Sequence, residues 1–278
     1  MARDNFNLKN RWKYGIIFGV GTVALFLNYQ LFVVLSILAT LFSGIEYTNM
    51  IFIDDKKKYA KYFMYFLMPF MSFLSGLFIY FGRIELMALS YCLLIPFLGT
   101  IGLMLYKDPS VIKEKIIDAV FGIFYISFSL SLCVFIYHKF GWEFAAITVT
   151  SPWIFDSFAF FVGIRLGKTR LMPSISPKKS VEGLIGGSVI SIFGLWLLER
   201  ILSLIGGRDL LEFWQVIILA VTVSVAATFG DLFESALKRY HSQKDSGHLI
   251  PGHGGLLDRI DSLLFISPCI LFLLFIFK

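Results

Sequence analysis

The sequence predicts an all-α polytopic membrane protein with about nine transmembrane helices and its N-terminus in the cytoplasm. Three observations carry this. Of 278 residues, 57% are hydrophobic and only 16% charged, with a mean hydropathy of +0.77; a soluble chain averages about 25% charged and 45–50% apolar. The apolar residues, 31 phenylalanines among them, form long blocks between short charged stretches, as a lipid environment demands. The basic residues concentrate on alternate connections, which sets an orientation.

A helix rises about 1.5 Å per residue, so about 20 residues cross the hydrocarbon core. In chain order the candidate spans are 14–27, 31–53, 62–81, 86–106, 116–137, 143–163, 184–204, 213–232 and 262–277. The first follows Arg3, Lys9, Arg11 and Lys13, as a signal peptide would. However, Leu27-Asn28-Tyr29-Gln30 offers no small-residue cleavage site, and another apolar run follows at once. The span is therefore expected to be retained, with Asn28-Tyr29-Gln30 as the tight link of a helical hairpin. An odd span count puts the termini on opposite sides. With the N-terminus cytoplasmic, 20 of the 25 Lys and Arg residues fall on that side; the other holds Arg83, Lys139, Arg200, Arg208 and Lys278. Cys92, Cys133 and Cys269 lie inside apolar runs and read as small hydrophobes, not as a disulfide or metal framework.

Residues 1–142 supply the first five spans and carry no placeable motif. Residues 143–278 supply the remaining spans and two longer cytoplasmic loops, 165–182 and 233–261, rich in Gly, Pro, Lys, Asp and His. Long ordered loops tend to be functional, so the chemistry is expected in this C-terminal region, at the cytoplasmic surface.

Its strongest constellation is acidic. Asp231 and Glu234 stand i, i+3 at the end of the eighth span, and Asp258 and Asp261 stand i, i+3 at the start of the ninth. Such spacing puts each pair on one helix face. Asp156 lies within the sixth span, where a charge is costly and usually kept for function. Hard oxygen donors beside a phosphate-rich substrate indicate Mg²⁺; the alternative is that these acids pair with nearby bases or cap helices. A second constellation is basic. Ser176-Pro177-Lys178-Lys179, with Lys168 and Arg170 upstream, reads as a helix start with Ser176 at N-cap and Pro177 at N1, and so as an anion site. Positive-inside anchoring would explain the charges but not their order. The third is Gly247-His248-Leu249-Ile250-Pro251-Gly252-His253-Gly254-Gly255, flanked by Lys238-Arg239, Lys244-Asp245 and Arg259. Its glycines permit close approach of backbone amides to phosphate, and His253 is placed to orient phosphate or simply to serve a turn.

Ser235-x-Leu237-Lys238-Arg239, Lys244-Asp245-x-Gly247 and Pro251-x-His253-Gly254-Gly255-x-x-Asp258-Arg259-x-Asp261 together resemble the signature of phosphatidate cytidylyltransferases (CDP-diacylglycerol synthases), without departure over 27 positions. The stretch from Asp156-x-x-Ala159 through Ser176-Pro177-Lys178-Lys179 to Gly186-Gly187 is similar to that family's other shared region, so the resemblance covers the chain from about residue 150 onward. It implies transfer of the cytidylyl group of CTP to phosphatidic acid, giving CDP-diacylglycerol and pyrophosphate at the cytoplasmic face of a bacterial-type inner membrane. It also implies Mg²⁺, with room for a second cation, on Asp231, Asp258, Asp261 and Asp156, with Glu234 a further ligand or support. Lys178, Lys179, Lys244, His253 and Arg259 become the catalytic set. Lys168, Ser176, Ser235, Lys238, Arg239, Gly254 and Gly255 become the substrate-binding set. CTP arrives from water and the lipid from the bilayer; no nucleic-acid partner is expected. Gly15-x-x-x-Gly19 and Gly163-x-x-x-Gly167 permit close helix contact in a homodimer, or packing within one chain. The competing readings are a CTP-dependent polyprenol kinase and, from another class, an ion-coupled transporter using Asp156 and Glu46. The second predicts inverted repeats, and none is evident.

Overall fold

The computed structural model of the chain describes residues 26, 28–52, 58–247, 249 and 254–278. The predicted first span, its Gly15 and Gly19, and His253 lie outside these residues. Each of the eight later spans has its helix, and all eight are long and apolar enough to cross a membrane. They are α1 (Tyr29–Ile51), α2 (Lys58–Tyr80), α3 (Ile84–Leu105), α4 (Pro109–Phe140), α5 (Trp142–Leu166), α6 (Val181–Gly206), α7 (Phe213–Tyr240) and α8 (Leu257–Phe277). Between α5 and α6 lies a small antiparallel hairpin, β1 (Arg170–Met172) and β2 (Ser176–Ser180). The all-helical expectation therefore holds for the membrane part but not for this connection.

The described chain forms two compact units. One takes the residues up to His138 together with Asp245–Leu257, and the other takes Lys139–Lys244 and Asp258–Lys278. In the first, local chemistry sets the helix ends. Asn28 caps α1, its side chain accepting from the Leu31 amide at 2.7 Å. Gly82, at φ 67°, lets α2 turn into α3. Asp108 caps α4 ahead of Pro109 and accepts from the hydroxyl and amide of Ser110, which hold its carboxyl below the usual range. A π-helical turn at Ile123–Phe128 interrupts α4. Beside it, a Cβ on Gly122 would lie 2.1 Å from the Tyr47 ring, so glycine makes room for that ring. The interior is seamed with hydroxyls: Ser75 donates to the Met71 carbonyl and to Tyr91, and Ser127 to the Met68 carbonyl. Meanwhile Phe66, Leu93, Phe97 and Leu103 face outward, the inversion expected in lipid.

In the second unit, α5 and α6 pack along a seam of small residues. A Cβ on Gly187 would lie 2.7 Å from Cα of Ala159, and one on Gly183 would lie 3.0 Å from the Ala159 carbonyl oxygen. Gly163 and Gly167 face Ser180 across the same seam, so this small-residue motif serves packing within the chain. At the far end, Arg208 grips both carboxylate oxygens of buried Glu143, at 3.2 and 2.9 Å. Buried Glu199 accepts from Ser203 and from the Leu211 amide. These bonds fold the α6–α7 turn, where Gly207 sits at φ 65°.

Two expectations about helix ends are corrected. Ser176 is not an N-cap. Ser176–Ser180 is a strand paired with Arg170–Met172, Pro177 is accommodated in its extended backbone, and α6 begins only after Ser180. Ser180 supplies the cap, accepting from the Gly183 amide at 3.1 Å. In addition, α7 continues past 232 to Tyr240, because Leu232, Glu234 and Lys238 keep a buried face beyond the apolar run.

Candidate active site

A cavity of about 790 Å³ opens in the second unit. Its polar lining residues include Asp156 from α5, Lys178 and Lys179 from β2, Arg170 from β1, and Asp231 with Thr228 from α7. Its apolar lining residues include Phe160, Ile164 and Leu171, of which Phe160 and Ile164 are more than half exposed. The hairpin is what brings the lysines here. The Arg170 guanidinium donates to the Lys178 carbonyl at 3.3 Å, and the amides of Lys168 and Thr169 bind the Glu182 carboxylate. The hairpin is thereby tied to the start of α6, and Lys179 reaches Asp231 at 2.7 Å.

Asp231 is steadied from its own helix by Ser235, whose hydroxyl donates to Oδ1 at 3.2 Å. Gly230 then allows α8 to come close. A Cβ there would lie 2.9 Å from the Asp261 carbonyl oxygen, and Ser262 donates to the Ala227 carbonyl at 3.2 Å. Asp261 is buried and accepts from the Ser262 amide. Asp156, Asp231 and Asp261 are electrostatic neighbours, with Lys179 among them.

Glu234 and Asp258 belong to a different cluster. Lys238, only 8% exposed, forms an ion pair with fully buried Glu234 and another with Asp258 at 2.5 Å. Its ammonium is thus compensated by two carboxylates, and the pair with Asp258 ties α7 to α8. Asp231 and Glu234, expected to point together, face different partners. Of the remaining bases, Lys168, Arg239, Lys244 and Arg259 are exposed, and Arg239 closes the end of α7 by donating to the Gln243 carbonyl. Gly254 adopts φ 83° and Gly255 is buried in the first unit. There both ends of the glycine-rich loop meet Glu46 of α1, an acid the sequence reading considered only as a transporter site. Thr228 was also missed, since one hydroxyl in an apolar helix gives no distinguishing signal.

The donor set suits a hard divalent cation in kind and charge, for three neighbouring carboxylates share one ammonium. Among the described residues no three such side chains close into a ligand cage.

Comparison with known proteins finds relatives that share one name. A protein of Thermotoga maritima named phosphatidate cytidylyltransferase is 43% identical over 162 residues, 58% of this chain and 60% of that protein. Proteins of the same name from Bacillus subtilis and Brucella abortus are 46% identical over 126 residues and 40% over 144, covering 45% and 51% of each chain. The matched stretch thus spans only about half to three-fifths of the relatives' length. The model of the cytidylyltransferase family matches residues 9–277, and the chain therefore belongs to the cytidylyltransferase family.

Proposed function

We propose that the protein transfers the cytidylyl group of CTP to phosphatidate, forming CDP-diacylglycerol and pyrophosphate at the cytoplasmic face of the membrane. The observation that carries this is the mixed lining of the cavity. It holds the charged side chains of Asp156, Asp231, Lys178, Lys179 and Arg170 together with the apolar ones of Phe160, Ile164 and Leu171. A charged nucleotide and a lipid phosphate need those two surroundings at one depth. The names of the relatives and the concentration of basic residues on one side of the spans support the substrates and the orientation.

The phosphatidate oxygen is the nucleophile. It forms a bond to the α-phosphorus of CTP as the bond to the bridging oxygen breaks, and pyrophosphate leaves with that electron pair. No Ser or Cys nucleophile is needed, and catalysis rests on positioning and charge stabilisation. Lys178, Lys179 and Arg170 would draw the phosphates into the cavity, and Ser235 keeps Asp231 aimed. Mg²⁺ would be held by Asp231 with Asp156 or Asp261, and when bound would neutralise charge on the triphosphate. Asp258, tied to Lys238, supports that group from the adjoining cluster. His253, Lys244 and Arg259 remain candidates for the phosphate groups.

The test is turnover of purified protein with CTP labelled in the cytidine or in the γ-phosphate. Lipid-bound cytidine and free pyrophosphate are expected. CDP together with a phosphorylated lipid alcohol would make the protein a kinase instead.

A further inference from the structure

Glu46 is an acid in the apolar helix α1 and is only 7% exposed. A carboxylate in such a place must be satisfied by hydrogen bonds, and here three donors supply them. The Leu256 amide donates at 3.0 Å to Oε1, the Leu257 amide at 2.8 Å to Oε2, and the Ser246 hydroxyl at 3.2 Å to Oε2. These donors flank the glycine-rich loop on both sides. Leu256 and Leu257 lie at the start of α8, where backbone N–H groups have no partner within the helix. The residues just before them, Gly254 and Gly255, have no side chain that could cap it. The cap comes instead from a residue 210 positions earlier in the chain.

A second, independent observation points the same way. A Cβ on Gly247 would lie 2.6 Å from Oε1 of Glu46, and one on Gly255 would lie 2.5 Å from Oε2. All three nearest atoms to the Gly247 position belong to Glu46. Glycine at 247 thus has a reason besides phosphate approach: it leaves room for this carboxylate.

We propose that Glu46 is a positioning residue that clamps both ends of the glycine-rich loop and fixes the start of the helix carrying Asp258 and Asp261. It touches no reacting atom; it acts through the backbone it caps. The inference rests on the reading above that those two aspartates serve cytidylyl transfer.

Glu46→Gln is the first test, because glutamine keeps the shape but offers one acceptor oxygen and an N–H₂ that faces donors. The expected result is a kcat lowered roughly 10- to 100-fold, as when groups behind metal ligands are altered. The half-saturating Mg²⁺ concentration should rise, with the protein still inserted and monodisperse in detergent. Amide hydrogen exchange over peptides covering 244–262, measured without substrate, should speed up in the variant. Unchanged exchange in Glu46→Gln overturns the clamp whether or not the wild type makes CDP-diacylglycerol. Conversely, accelerated exchange in an inactive wild-type background would retire only the enzymatic reading. The second test is a cycle with Gly247→Ala. That substitution should impair turnover and loosen the loop in the wild type, yet add nothing in the Glu46→Ala background, where the obstructing carboxylate is gone. Equal damage in both backgrounds would mean that Gly247 serves the substrate directly, and would sink the proposal.

Discussion

Replacing Lys238 by methionine separates two roles that its place in the motif leaves entangled. The sequence suggests a phosphate ligand, whereas the structure shows a lysine whose side chain is 10% exposed, between Glu234, with no exposure, and Asp258, whose side chain is 11% exposed. Methionine matches the stem of lysine in length and leaves both carboxylates without their cation. Removing one partner from a buried ion pair costs about 3–5 kcal/mol, chiefly because the remaining charge stays desolvated. At about 2–4 °C per kcal/mol for chains near this size, the apparent unfolding temperature in detergent should fall by roughly 6–20 °C. Glu234→Gln is the control: the Lys238–Asp258 pair survives, and the loss should be well below half as large. Thermal unfolding followed by intrinsic fluorescence, with CTP turnover per folded protein, reads both quantities. If Lys238→Met melts like the wild type but shows a raised KM for CTP, the buried-clamp reasoning is wrong and the lysine contacts nucleotide.

Three further outcomes follow from the same geometry. Asp231→Asn removes the partner of Lys179 and an electrostatic neighbour of Asp156 and Asp261; turnover should drop about 100-fold or more, the scale for losing one preorganised charge-stabilising group. Its side chain is one-third exposed, so circular dichroism and detergent melting should stay close to wild type. Gly187→Ala forces a methyl to within 2.8 Å of the Ala159 backbone, an overpacking expected to cost about 1–3 kcal/mol; a melting temperature at or above wild type would contradict the close seam. Glu199→Ala leaves the Ser203 hydroxyl and the Leu211 amide without their acceptor, a loss of about 1–3 kcal/mol. Because that cluster folds the α6–α7 turn and not the cavity, turnover per folded molecule should be unchanged.

Much of the membrane part was legible in hydropathy alone, since lipid imposes its demand residue by residue along a span. Helix ends were less so. Phe233 to Tyr240 looks like a loop to a hydropathy reading, yet it is helical because Glu234 and Lys238 satisfy each other one turn apart, a gain invisible to any polarity scale. The i, i+3 spacing of Asp231 and Glu234 suggested two carboxylates presented toward one point. Residues three apart still point about 60° away from each other, enough to send one to Lys179 and the other to Lys238. Ser176-Pro177 shows how a local signature misleads: Ser-Pro suits a helix start, but pairing with Arg170–Met172 decided for a strand. The cap on α8 was out of reach for the same reason, since its donor and acceptor are separated by most of the chain.

The glycine seam between α5 and α6 also bears on motion. A lateral opening between two helices needs side chains that can rotate aside, because backbone in van der Waals contact has nothing to swing. Where Gly183 and Gly187 meet Ala159 there is no such side chain, so α5 and α6 are held there by backbone contact. Phe160, Phe161 and Ile164 of the same helix are instead more than half exposed, and side chains of that kind can change rotamer without moving the backbone. Helix α5 thus carries an edge fixed by glycine and, beside it, a surface of large side chains that can rearrange.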